Sequence, residues 1–141
     1  MSDSNGIPLP YRKQLYFSKT MHLTKDDYRT LRKTLSGEAK SLLVYILTVH
    51  DPRKHLPSPL GYSKEYDCPS SSAYAAYDQL RQHSILIEGY DNGDVYNYVN
   101  PQVVWIGSEQ SRQIQIAKLN QLAANLAAKA QEAALNARQR K

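Results

Sequence analysis

Apolar positions recur at helical spacing through most of the chain and alternate at strand spacing in one stretch. Tyr28, Leu31 and Leu35 share one face of a helix expected over about residues 25–35. Thr24 with Asp26 and Asp27 gives that helix a capped start, because carboxylates complement the free N–H groups of a first turn. Ser36-Gly37-Glu38 opens a second helix. Its Ala39, Leu42, Leu43, Ile46 and Leu47 mark it as the centre of the core, and Asp51-Pro52 stops it. Pro52, Pro57, Pro59 and Gly61 then make a turn-rich stretch, with a short helical turn expected near 62–67. Pro69 suits the first turn of another helix, with Ser70, Ser71 and Ser72 near its start. That helix runs to about His83. Ala73, Ala76, Tyr77 and Leu80 form its inward stripe, and Ser72, Ala75, Asp78, Gln79 and Gln82 lie elsewhere on its surface.

Two strand-like runs follow, I-L-I-E-G-Y and V-Y-N-Y-V, on either side of Asp91-Asn92-Gly93-Asp94. Asn-Gly signals a hairpin because both positions tolerate positive φ. Asn100-Pro101 breaks the second run, since Pro cannot donate to a ladder. Val103, Val104, Trp105 and Ile106 then cover the core, and Gly107 releases the chain into a last helix. Residues 108–141 hold no Gly or Pro and repeat apolar residues at steps of three and four from Ile116 to Ala137. At 1.5 Å per residue such a helix spans roughly 50 Å. The plan is α+β: helix, helix, broken helical turn, helix, hairpin, long helix. That is the order of a winged helix-turn-helix with an appended C-terminal helix. The expected division is an arm over 1–18, a winged helix-turn-helix domain over 19–107 and an Ala-rich helix over 108–141.

Charge refines the picture. The net charge is +5, but it is uneven. Residues 1–35 carry seven Lys or Arg against three acids, residues 69–107 one against four, and residues 108–141 six against two. Cationic flanks around a neutral-to-acidic middle permit nucleic-acid binding. The single cysteine, Cys68, makes no internal disulfide and fits a reducing cytoplasm. No apolar run is long enough to span a membrane, and the N-terminal residues do not read as a secretory signal. His22, His50, His55 and His83 show no paired metal-ligand spacing, and Cys68 with two loosely spaced histidines is a weak metal set. No nucleophile motif or phosphate loop is present. No catalysis, metal or cofactor is expected.

Several strings carry a family resemblance: Phe17 and Lys19 in an F-x-K, L-S-G-E-A-K-S-L-L-V-Y-I-L at 35–47, Y-D-Q-L-R-Q-H-S-I-L-I at 77–87, and Y-V-N-P-x-x-x-W-x-G-S at 98–108. Over about residues 15–112 the chain resembles the winged-helix replication initiators and regulators of bacterial plasmids and phages, the RepL type. Ser84 stands where that family usually has a Gly before the first wing strand, and the recognition helix here is poor in Lys and Arg. The resemblance implies a protein that binds double-stranded DNA by sequence. Its role is either transcriptional repression or origin binding, by occupancy of a site, with replication or transcription proteins as further partners.

The expected DNA-contacting set is built around the helix beginning near Ser70. Ser70, Ser71 and Ser72 offer hydroxyls and free N–H groups to phosphate, or simply cap the helix. Tyr74, Ala75, Asp78 and Gln79 face the groove, where Gln can bind adenine and Ala the thymine methyl. Lys40, Arg53, Lys54 and Lys64 are candidates for backbone phosphates. Asn92, Gly93 and Asn97 are the wing candidates. Arg12, Lys13 and Lys19 belong to an arm that reaches a minor groove or stays solvated. Ile116, Leu119, Leu122 and Leu126 are the candidate seam of a homodimer. The alternative helix placement is folded back on its own domain. The alternative function is a protein-interaction module on a winged-helix scaffold, in which the acidic wing and the Ala/Leu helix are the binding surfaces.

Overall fold

The computed structural model describes residues 19–139. The expected arm with Arg12, Lys13 and Phe17 lies outside the described residues, as do Arg140 and Lys141. Among the described residues the chain is mixed α+β, with five helices, the last of them long, and two small antiparallel sheets.

Helix α1, Lys25–Thr34, starts at a reciprocal cap. The Asp27 N–H donates to Thr24 Oγ1 at 3.1 Å, and the Thr24 N–H donates to the Asp27 carboxylate at 3.0 Å. These bonds hold the Asp27 carboxyl below the usual carboxylate range. Leu31 and Leu35 are buried as their spacing requires, but Tyr28 is 63% exposed. Tyr28 stands a turn before Leu31, at the margin of the packed face. Leu35 is already extended, and Ser36 caps helix α2, Gly37–Thr48, by accepting from the Ala39 N–H at 3.2 Å. Ala39, Leu42 and Ile46 are fully buried, so α2 is the central helix.

Two turn prolines act differently from expectation. The expected turn near 62–67 is helix α3, Pro59–Glu65, which starts three residues earlier. Ser58 caps it, and the fixed φ of Pro59 suits its first position. Pro69 is the N-cap of helix α4, Ser70–Gln82, rather than part of its first turn. Ala73, Ala76, Tyr77 and Leu80 are fully buried, and the Tyr77 hydroxyl donates to the Pro57 carbonyl at 2.7 Å.

Strands β2 (Leu86–Asp91) and β3 (Asp94–Val99) pair antiparallel. Asn92 and Gly93 both take positive φ, as a two-residue hairpin turn demands. On the other edge of β3, His55 bridges Tyr98 and the Leu56 N–H donates to the Asn97 carbonyl at 2.8 Å. The segment between α2 and α3 is therefore a rudimentary third strand. A second sheet joins β1 (Thr20–Met21) to β4 (Val104–Trp105).

The pleat divides the hairpin between two layers. Leu86 and Val99 face the core beneath α2 and α4. Ile87, Tyr96 and Tyr98 face helix α5, Glu109–Gln139, and pack with its Leu119 and Leu122. Gly107, at φ +120°, turns the chain into α5, as its place in the sequence suggests. A Cβ on Gly89 would lie 2.8 Å from the Leu122 Cβ, so the helix sits directly on the hairpin backbone. This corrects the expected dimer seam: Leu119 and Leu122 are buried on the chain's own hairpin, where Gly89 leaves room for them. Ile116 and Leu126, at the margins of that contact, are half-buried.

Candidate nucleic-acid interface

Helix α4 presents one exposed face outward. Ser70, Ser71, Ala75 and Asp78 are exposed, and Tyr74 is 51% exposed. Pro69 offers no side-chain acceptor, so no side chain caps the helix. The serines, expected as caps or phosphate ligands, occupy the first three helical positions. Ser70 and Ser71 are exposed and Ser72 is half-buried. Their N–H groups belong to the first turn, which has no intrahelical acceptors. With the positive end of the helix dipole, that turn suits an anion.

Several expected contacts are occupied elsewhere. Gln79 Oε1 accepts from the Ser36 N–H at 2.8 Å, so Gln79 ties α4 to the start of α2 and faces away from any groove. The helical turn places it 100° from Asp78, toward the α1–α2 junction. Asp78 pairs with Arg81, whose guanidinium also donates to Asn97 Oδ1 at 2.7 Å. Asn97, expected at the wing surface, is thereby buried as the link from hairpin to α4. Arg53 grips Asp51 through Nε and a terminal nitrogen, both at 3.0 Å. That pair pushes the Asp51 carboxyl below its ordinary range and the guanidinium above its own. The two residues are neighbours in one turn, and the local pair forms before any phosphate is needed.

Lys19 is no free arm cation. Its ammonium donates to the Ile46 carbonyl at 2.9 Å, in the last turn of α2, and burial lowers its pKa. Lys40 stands at the rim of a groove between α1 and α2, not at the start of α4. Lys64 is exposed in the last turn of α3, which packs on α4. Lys54 is exposed beside the rudimentary strand. Asn92 is exposed at the hairpin tip between Asp91 and Asp94. The arrangement thus leaves Ser70, Ser71, Tyr74, Ala75, Lys64, Lys54 and Asn92 available and engages Gln79 and Arg53.

The Asp78–Arg81–Asn97 clamp went unnoticed in the sequence. Its signal is Arg81, the lone cation of residues 69–107, three positions after an acid on a helix. His50 was also missed as a structural residue. It is buried, its Nε2 donates to the Lys54 carbonyl at 2.9 Å, and desolvation pushes its pKa below the ordinary histidine value.

Among the described residues, no three of His, Cys, Asp and Glu converge to hold a metal, and no helix is long and apolar enough to cross a membrane. No family model, no curated protein and no solved structure matches the chain.

Proposed function

We propose that the chain is a winged helix-turn-helix protein of the RepL-like kind that binds duplex DNA by sequence and acts without catalysis, by occupying a promoter or an origin. The order α2, bridging strand, α3, α4, β2, β3 supports that fold. The observation that carries the function is α4 itself. One face is wholly buried through Ala73, Ala76, Tyr77 and Leu80. The other presents Ser71, Tyr74 and Ala75 behind an uncapped first turn. Such a helix enters a major groove with its N-terminal residues at the base edges. In this reading Ser70 and Ser71 hold phosphate, Tyr74 and Ala75 read bases, and Lys64 and Lys54 anchor the flanking backbone. Binding of the intact chain to duplex at low salt, lost in Ala75→Glu, is the expected result. Equal binding by the variant would remove α4 from the interface.

A second reading, a protein-interaction scaffold, is favoured by one feature. The groove between α1 and α2, of about 600 Å³, is lined by Leu23, Leu31, Leu43 and Leu47, with Val44 57% exposed. Arg32 and Lys40 stand at its rim. It suits an apolar segment flanked by carboxylates. Retention of such a peptide by a chain that ignores duplex would favour this reading.

A further inference from the structure

Helix α2 carries two apolar faces. Ala39, Leu42 and Ile46 are fully buried in the core, where α2 packs on α4. Lys40, Leu43 and Leu47 each follow one of them by a single position, which turns them about 100° round the helix. A helix with one covered face ordinarily turns polar residues outward beside it. Here the second face lines the groove against α1, with Val44 and Tyr28 at its lips, 57% and 63% exposed. Singly scattered exposed apolar residues are normal, but a continuous apolar lining beneath two such residues on facing helices marks a binding groove.

The chemistry of the lining says what fits. Its charged members are Arg32 and Lys40, both exposed, and no carboxylate lines it. Among the described residues neither cation pairs with an acid. The acids in the first turn of α1 are engaged: Asp27 accepts from the Thr24 N–H at 3.0 Å, and Asp26 pairs with Arg29 at 3.3 Å. The groove is open at its lips, so it does not enclose a small molecule on most of its surface as a ligand pocket does. An amphipathic helix laid along it buries its apolar ridge and keeps its backbone bonds internal. Carboxylates beside that ridge meet Arg32 and Lys40. No residue of α4 lines the groove, so the groove and the outer face of α4 are separate surfaces.

We propose that this groove docks an acidic amphipathic helix of a partner protein while α4 is free to hold duplex. The docked helix is then an addition to DNA binding, not the substitute for it that a pure scaffold offers. The groove stands as a site whether or not α4 binds DNA; only its use alongside duplex rests on that reading.

The test uses the intact chain and two fluorescent synthetic helices as probes. Both carry Leu at steps of three and four; one is flanked by Glu, the other by Lys. Fluorescence anisotropy is expected to show the Glu helix bound about tenfold more tightly than the Lys helix. Val44→Asp, at an exposed position, is expected to weaken the Glu helix about tenfold. Arg32→Glu/Lys40→Glu is expected to reverse the preference toward the Lys helix, which a merely unfolded variant does not do. Saturating duplex is expected to leave the Glu helix bound. Binding of neither probe, equal binding of both, indifference to Val44→Asp, or a preference that the charge reversal leaves unchanged overturns the proposal and leaves the α4 reading intact. Displacement of the Glu helix by duplex overturns it as well, because the two surfaces then overlap. A Glu helix held by a chain that binds no duplex keeps the groove as a site and sinks the α4 reading.

Discussion

The Asn100 side-chain amide donates to the Ser84 carbonyl at 2.8 Å and so joins the end of the hairpin to its beginning. Ser84 sits at φ +60°, just after α4. There an L side chain is strained and a glycine is not. Asn100 compensates by bonding in four directions. Its N–H donates to the Ile85 carbonyl, its Oδ1 accepts from the Gln102 N–H, and its carbonyl accepts from the Val103 and Val104 N–H groups. Asn100-Pro101 is therefore a junction that closes the ladder and redirects the chain toward β4.

Two substitutions separate the strain from the clamp. Ser84→Gly is expected to raise stability by up to about 1 kcal/mol, because relief of the left-handed backbone outweighs the added freedom of the unfolded chain. Asn100→Ala is expected to lower it by about 1–3 kcal/mol, since two side-chain hydrogen bonds, each worth about 0.5–1.5 kcal/mol, are lost. Urea melts measure both. Destabilisation by Ser84→Gly would show that the Ser84 side chain contributes more than its backbone strain removes.

The seat of α5 predicts a monomer. Leu119 and Leu122 are committed to the hairpin, and the face left for a second copy is mostly alanine, which buries little area. Sedimentation at tens of micromolar should give the mass of one chain. Gly89→Ala forces a Cβ into the Leu122 Cβ and is expected to cost about 1–3 kcal/mol. It should also expose α5 to proteolysis. A dimer that Leu119→Ala dissociates would return these leucines to an intermolecular seam.

Stability should fall in mild acid because of His50. Its folded-state pKa is depressed, chiefly by burial. The unfolded chain therefore takes up the proton first. The stability is fully present above the unfolded value of about 6.5 and is lost as pH falls from there through the folded pKa. The capped or paired carboxylates Asp27, Asp51 and Glu109 also have lowered pKa values, and their losses come at lower pH. Chemical melts at pH 7 and pH 5 should differ for the wild-type chain and agree more closely for His50→Asn. An equal drop in both would assign the acid sensitivity to other groups.

Much of the fold was legible because local chemistry and tertiary packing agree. The stripe Ala73, Ala76, Tyr77 and Leu80 is fully buried, Trp105 is buried on β4, and Asn92-Gly93 is the turn. Pro59 misled because proline reads as a breaker, whereas a helix accepts it at its first position. Leu119 and Leu122 misled for a different reason. A three-four apolar repeat specifies a buried face but not what covers it, and only the glycine at 89, on another element, decides that. Site residues were least legible. Gln79, Arg53 and Lys19 have the right chemistry for DNA, but each found a hydrogen-bond partner inside the fold that sequence spacing does not reveal.

Base reading by the outer face of α4 is measured by selecting a preferred duplex from a random pool with the intact chain. The affinities of wild-type protein and Tyr74→Ala are then compared on that duplex and on a random one. Loss of a base contact costs about 1–3 kcal/mol. Such a loss is expected for Tyr74→Ala on the selected duplex, with random-duplex binding nearly unchanged. Failure to enrich any duplex, or equal losses on both, would contradict it.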